Sequence, residues 1–181
     1  MAQIAGNHYE KAFESWLKDN GIQYLLVDQR KRTAFSRSKI KSFDFLFYPP
    51  KADSPDSNAY IAEIKGRKFS GKTFTAFGSL PNWVTLDDVK GLENWVEIFG
   101  GRYQGLFVFA YELENIDVDT DGREIYEYLG RRYVFAAIRL SDYKKGAARR
   151  SEKWQTVHLS AEFYKNCIID ADELICRKVR L

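Results

Sequence analysis

Cysteine is scarce in this chain: two among 181 residues, Cys167 and Cys176, with neither a CxxC spacing nor a histidine cluster beside them. The pair could make one late disulfide, but two reduced thiols are the reading expected. No apolar run approaches the roughly 20 residues that span a bilayer. The opening MAQIAGNHYEKAF lacks the basic-then-apolar order of a signal peptide, so a cytosolic protein with no membrane association is expected. A large excess of one sign of charge is also lacking, at a formal net +3, which by itself identifies no partner. There is no internal repeat and no low-complexity tract. What is present is apolar and aromatic: 45% hydrophobic and 15% aromatic residues, which excludes a disordered chain. The length fits one domain able to bury its own core.

Charge is informative in its distribution. Arg30, Lys31, Arg32, Arg37, Lys39 and Lys41 crowd one segment, Lys144, Lys145, Arg149, Arg150 and Lys153 another, and acids gather between Glu112 and Glu127. Local basic stretches on a near-neutral chain suit a polyanion bound to one face, or else solvated loops.

Hydrophobic periodicity predicts a helix over 7–20, with Ala12, Phe13, Trp16 and Leu17 as its apolar stripe and Gly21 as its stop. Strands follow over 22–27, 43–48 (stopped by Pro49-Pro50) and 59–65 (ended by Gly66). A Gly, Ser and Thr-rich loop leads to Thr85, an N-cap with Asp88 at the capping-box position. The helix it opens carries Val89, Leu92, Val96 and Phe99 and stops at Gly100-Gly101. The run GLFVFAY, 105–111, is a strand apolar almost throughout, which belongs in a mixed or parallel sheet covered on both faces. The order is helix, three strands, helix, strand. Beyond it, 124–128 and 133–140 read as strands paired across Gly130, and 154–159 as one more. They extend the same sheet or form a small attached layer. The expectation is one α/β domain over 1–181, with a core at about 7–111 and a β-rich extension at about 112–181.

Two anomalies carry chemistry. Asp44 interrupts a run of large apolar residues, where an isolated carboxylate costs several kcal/mol unless a cation accompanies it. Glu63 and Lys65 stand two apart on a strand, so they leave one face together while Tyr60, Ala62 and Ile64 leave the other. Carboxylates beside an ammonium suit Mg²⁺, which is held by one or two carboxylates plus waters and substrate phosphate. Such a site can hydrolyse a phosphodiester.

Asp44 followed on the next strand by Glu63-Ile64-Lys65, within that element order, resembles the PD-(D/E)XK nuclease superfamily. The resemblance implies the restriction-endonuclease-like fold: a central mixed sheet flanked by helices, with the core order αβββαβ. It implies that Asp44, Glu63 and the Ile64 carbonyl ligate Mg²⁺, with Mn²⁺ able to substitute, and that Lys65 activates water and stabilises the phosphorane. Phe43 stands where many members have proline. Holliday junction resolvases and RecB-like nucleases also place a glutamate on the first helix, and Glu10 occupies the matching place; Asn7-x-x-Glu10 is equally a capping-box spacing. His8 beside it reads better as structural than as catalytic. Some RecB-like members carry a polar residue on the following helix, where Lys90 and Asn94 share a face.

Lys41, Arg67, Lys68, Arg149 and Arg150 are expected along the DNA backbone. Trp16, Trp83, Trp95, Phe107 and Phe109 are better explained as core. A Mg²⁺-dependent nuclease for DNA, including branched or junction DNA, is the function implied, and symmetric cutting of two strands would call for a homodimer. Two other readings stay open: a nucleic-acid-binding module that keeps the fold without the activity, and an ion-pair cluster of Asp44, Glu63 and Lys65 with no metal.

Overall fold

The computed structural model describes residues 7–27, 41–49, 59–75 and 80–175. Arg30, Lys31, Arg32, Arg37, Lys39 and Cys176 lie outside them. In chain order the elements are α1 (His8–Asp19), β1 (Gln23–Leu26), β2 (Phe45–Tyr48), β3 (Ala59–Phe69), β4 (Val84–Thr85), α2 (Leu86–Phe99), β5 (Tyr103–Leu113), β6 (Tyr126–Tyr128), β7 (Arg131–Arg139), α3 (Leu140–Gly146), β8 (Ala148–Ser151), β9 (Thr156–His158), α4 (Ala161–Cys167), β10 (Ile169–Asp170) and α5 (Ala171–Leu174).

Seven strands form one mixed sheet in the order β1-β2-β3-β5-β7-β10, with β6 beside β7. Only β3 and β5 run parallel, as the α2 crossover between them requires; the other pairs are antiparallel. Strict alternation along β3, β5 and β7 separates two cores. Ala62, Ile64, Leu106, Val108, Phe135 and Ala137 pack under α1 and α5. Ile61, Phe107, Phe109, Val134, Ala136 and Ile138 pack under α2, α3 and α4. Both faces of β5 are therefore covered, which is why its sequence shows no polar alternation.

Two placements differ from the sequence reading. Gly66 does not end β3, which continues to Phe69 because β5 pairs with it over its whole length. Asp44 lies at a bend just before β2 and not within it. The segment 154–159 contributes β9 to a separate three-stranded sheet, β4-β9-β8. The extension is mixed and not purely β: α3 and α4 each make a short helix there. Among the described residues, no helix is long and apolar enough to cross a membrane.

Candidate active site

The pairing of β2 with β3 stops at Phe45↔Ala62, and the two strands part. At that fork the Asp44 amide donates to the Ala62 carbonyl at 3.0 Å, and the Asp44 carboxylate accepts from the Ile64 amide at 2.7 Å. The carboxylate thus closes the ladder where a neighbouring strand no longer can. Asp44 is only 4% exposed and Glu63 8%. The Ile64 carbonyl leaves β3 by the same edge as its amide, towards the fork.

Glu63 and Lys65 lie on the α2 side of β3, and the Lys65 ammonium stands 3.0 Å from Glu63 Oε1. From the opposite layer, the first turn of α1 brings Glu10. Asn7 caps that helix by accepting from the Tyr9 amide. The carboxylate of Glu10 instead interacts electrostatically with Glu63 and Lys65. The entry of α1 is set by Gly66, where any Cβ would run into the Tyr9 ring. Asp44 thus stands at the fork with the Glu63–Lys65 pair on the neighbouring strand, and Glu10 acts on them through its charge from α1.

Electrostatics makes this costly. Burial, then the nearby charges of Glu63 and Glu10, push Asp44 up to about 7, against the lowering effect of the Ile64 amide. Glu10 is raised by burial and by Glu63. Burial lowers Lys65 despite Glu63 beside it. Asp44 and Glu10, both raised by burial and by the charge of Glu63, are the kind of donor a hard divalent cation would relieve. In kind the residues fit such an ion. Among the described residues, however, no three Asp, Glu, His or Cys side chains are grouped closely enough to make a ligand set. Glu63 is engaged by two lysines instead: its Oε1 lies 3.0 Å from Lys65 and 3.4 Å from Lys41.

No family model matches this sequence, and no curated protein does. A solved structure does match: Hjc, a Holliday junction resolvase from the archaeal hyperthermophile Archaeoglobus fulgidus. The match has a TM-score of 0.52 at 14% identity and covers 94% of this chain and 99% of that one. The chain has the restriction-endonuclease-like fold. That is the fold of the PD-(D/E)XK nucleases, and within it Asp44 stands immediately before β2 while β3 carries Glu63-Ile64-Lys65.

Within the restriction-endonuclease-like fold, Asp88 enters the site although the sequence marks it only as a cap. It is 4% exposed, closes a capping box with Thr85, and sets Oδ2 2.8 Å from the Lys65 ammonium. Its other oxygen pairs with Lys41. Lys41, expected along the DNA backbone, is thus held inside the site. Its backbone lies against Gly91 of α2, and its carbonyl accepts from the Trp95 indole at 2.7 Å.

Arg67 departs from expectation in the same way. Its guanidinium donates to the Gly66 and Trp83 carbonyls and lies 4.1 Å from the Trp83 ring centre. Lys68 is exposed and 3.3 Å from Glu114. Lys90 and Asn94 are exposed on α2. Arg149 pairs with Glu152, and Arg150 lies over Trp83. Trp16, Phe107 and Phe109 are core, while Trp83 and Trp95 are half-buried. His8 bonds to the Tyr133 hydroxyl at 2.9 Å and neighbours Arg131, a role in fixing α1 to the sheet.

Proposed function

We propose that this protein is a divalent-metal-dependent nuclease that hydrolyses phosphodiester bonds in DNA, branched or junction DNA included. What supports the reading is Asp44 at the fork between β2 and β3 with the Glu63–Lys65 pair on β3, and the charge of Glu10 acting on them from α1. The fold is shared with a junction resolvase. Asp44, Glu63, Glu10 and the Ile64 carbonyl would hold Mg²⁺, or Mn²⁺ in its place. When bound, the ion supplies a Lewis acid for the phosphate oxygens.

The rest of the work belongs to the chain. Lys65 supplies an ammonium to the phosphoryl oxygens as negative charge grows on them, from a surrounding already poor in water. Glu63 and Asp88 hold that ammonium in one place, which limits the reorganisation needed during reaction. Lys41 leaves Glu63 as the site is filled and turns to the substrate phosphate. Arg149, Arg150, Lys68, Lys90 and Asn94 serve the flanking backbone. Paired cuts in a symmetric junction would use a homodimer.

The engagement of Glu63 by two lysines favours a second reading, a DNA-binding module whose site persists as an ion-pair network. The deciding experiment is cleavage of plasmid, linear, single-stranded and branched DNA with Mg²⁺ or EDTA. Mg²⁺-dependent cutting that vanishes in Lys65→Ala and Asp44→Ala supports the enzyme. Cutting unchanged in both removes the site, and binding without cutting under any divalent ion selects the module.

A further inference from the structure

We infer that the turn between β8 and β9 is a stacking platform for an unpaired DNA base next to the proposed cleavage site. Its placement there rests on the nuclease reading; its chemistry does not. The central observation is Trp154, which is 68% exposed on that turn. The other tryptophans are occupied: Trp16 in the core, Trp95 by its bond to Lys41, Trp83 beneath Arg67 and Arg150. Among the described residues, the Lys153 ammonium is the cation near the Trp154 ring, 5.4 Å from its centre. Exposing so large an indole forfeits the burial that usually justifies the residue.

The surroundings are cationic. Between Ala148 and His158 the chain carries Arg149, Arg150 and Lys153 against one carboxylate, Glu152, which Arg149 neutralises at 2.7 Å. A free aromatic face amid surplus positive charge is the pattern that holds single-stranded nucleic acid, one base stacked and its phosphates attracted. A base inside a duplex offers no free face, so the platform selects a strand with at least one unstacked nucleotide. An acidic protein partner would satisfy the charge but leave the indole without a planar ligand.

The turn is also fixed relative to the site. Gln155 holds a positive φ of 47° and closes the turn through its amide and side chain, both donating to the Glu152 carbonyl. Its own carbonyl accepts from the Leu86 amide at 2.8 Å, at the first residue of α2. Two residues further on, Asp88 reaches Lys65. A base on Trp154 is thereby tied, through one turn of helix, to the proposed catalytic lysine.

The test is fluorescence anisotropy in EDTA, so that binding is read without cleavage. The probes are a blunt duplex and the same duplex with a single-stranded tail. The parent protein is expected to prefer the tailed probe. Trp154→Ala should lose roughly tenfold in affinity for the tailed probe and nothing for the blunt one, while Trp154→Phe keeps most of the preference. Equal affinity of Trp154→Ala and parent for the tailed probe overturns the inference. So does an equal loss on both probes, or a parent that binds neither or binds both alike. A parent that keeps the preference yet never cuts DNA with Mg²⁺ leaves the platform standing and removes the nuclease.

Discussion

Asp44 is a carboxylate in an environment that favours its protonated form. Its ordinary value of 3.8 rises to about 7 in the folded chain, chiefly through burial. Between those values the folded state keeps a proton that the unfolded chain has lost, so Asp44's contribution lowers stability as pH rises across that window. Asp44→Asn retains an oxygen for the Ile64 amide and removes the charge. The variant should be more stable than the parent at pH 8, by on the order of a few kcal/mol, with the difference closing towards pH 4. Thermal melts across that range check this; a destabilised variant at pH 8 would refute it. If the site binds Mg²⁺, the ion should raise the parent's Tm increasingly above pH 7 and do little for the variant.

Asp88 poses a separable question at the same scale, because it both caps a helix and balances two lysines. Asp88→Asn keeps an acceptor for the Thr85 amide but not the charge facing Lys65. Its kcat for DNA cleavage should fall by about tenfold or more as the ammonium loses its fixed position, with KM little changed. Asp88→Glu, the usual partner in a capping box, should fall less. Steady-state kinetics on one DNA substrate would decide, and a parental kcat in both would confine Asp88 to the cap.

At the scale of elements, the site depends on two close approaches. Gly66 admits the Tyr9 ring onto β3, and Gly91 admits the Lys41 backbone onto α2. Gly66→Val should displace the start of α1 and with it Glu10. Cleavage is expected to drop much more than DNA affinity, while the far-UV spectrum stays that of a folded chain. Thr85→Ala removes the hydroxyl that accepts from the Asp88 amide and should cost about 1 kcal/mol of stability, measurable by urea unfolding. The capping box was legible beforehand, since it is a local pattern of four residues. That it delivers Asp88 to Lys65 was not, because no short-range rule says which strand a helix turn will meet.

For the whole molecule, the decisive pairing is that of β5 with β7, in register from Leu106↔Arg139 to Glu112↔Tyr133. The strand β7 is buried along most of its length and contributes to both cores. A fragment ending at residue 113 would expose the β7 edge of β5 and lose the part of the cover that α3, α4 and α5 give to the two cores. It should fail to fold, with no cooperative thermal transition, although it contains every residue of the proposed catalytic site. A soluble, cooperative fragment would show instead that the first part of the chain is self-sufficient.

The sequence alone determined whatever depends on near neighbours: the amphipathic first helix, the apolar β5, the capping box, and the shared face of Glu63 and Lys65. Periodicity, caps and alternation are set by backbone geometry over a few residues, so they can be read without the fold. The tertiary structure decided which charges meet. It brought Asp88 and Lys41 onto Glu63 and Lys65, drew Arg67 over Trp83, and kept Gly66 inside a strand by pairing it with Ala110. Those outcomes follow from packing between segments distant in the chain, where burial and Coulomb forces act across space and have no local signature.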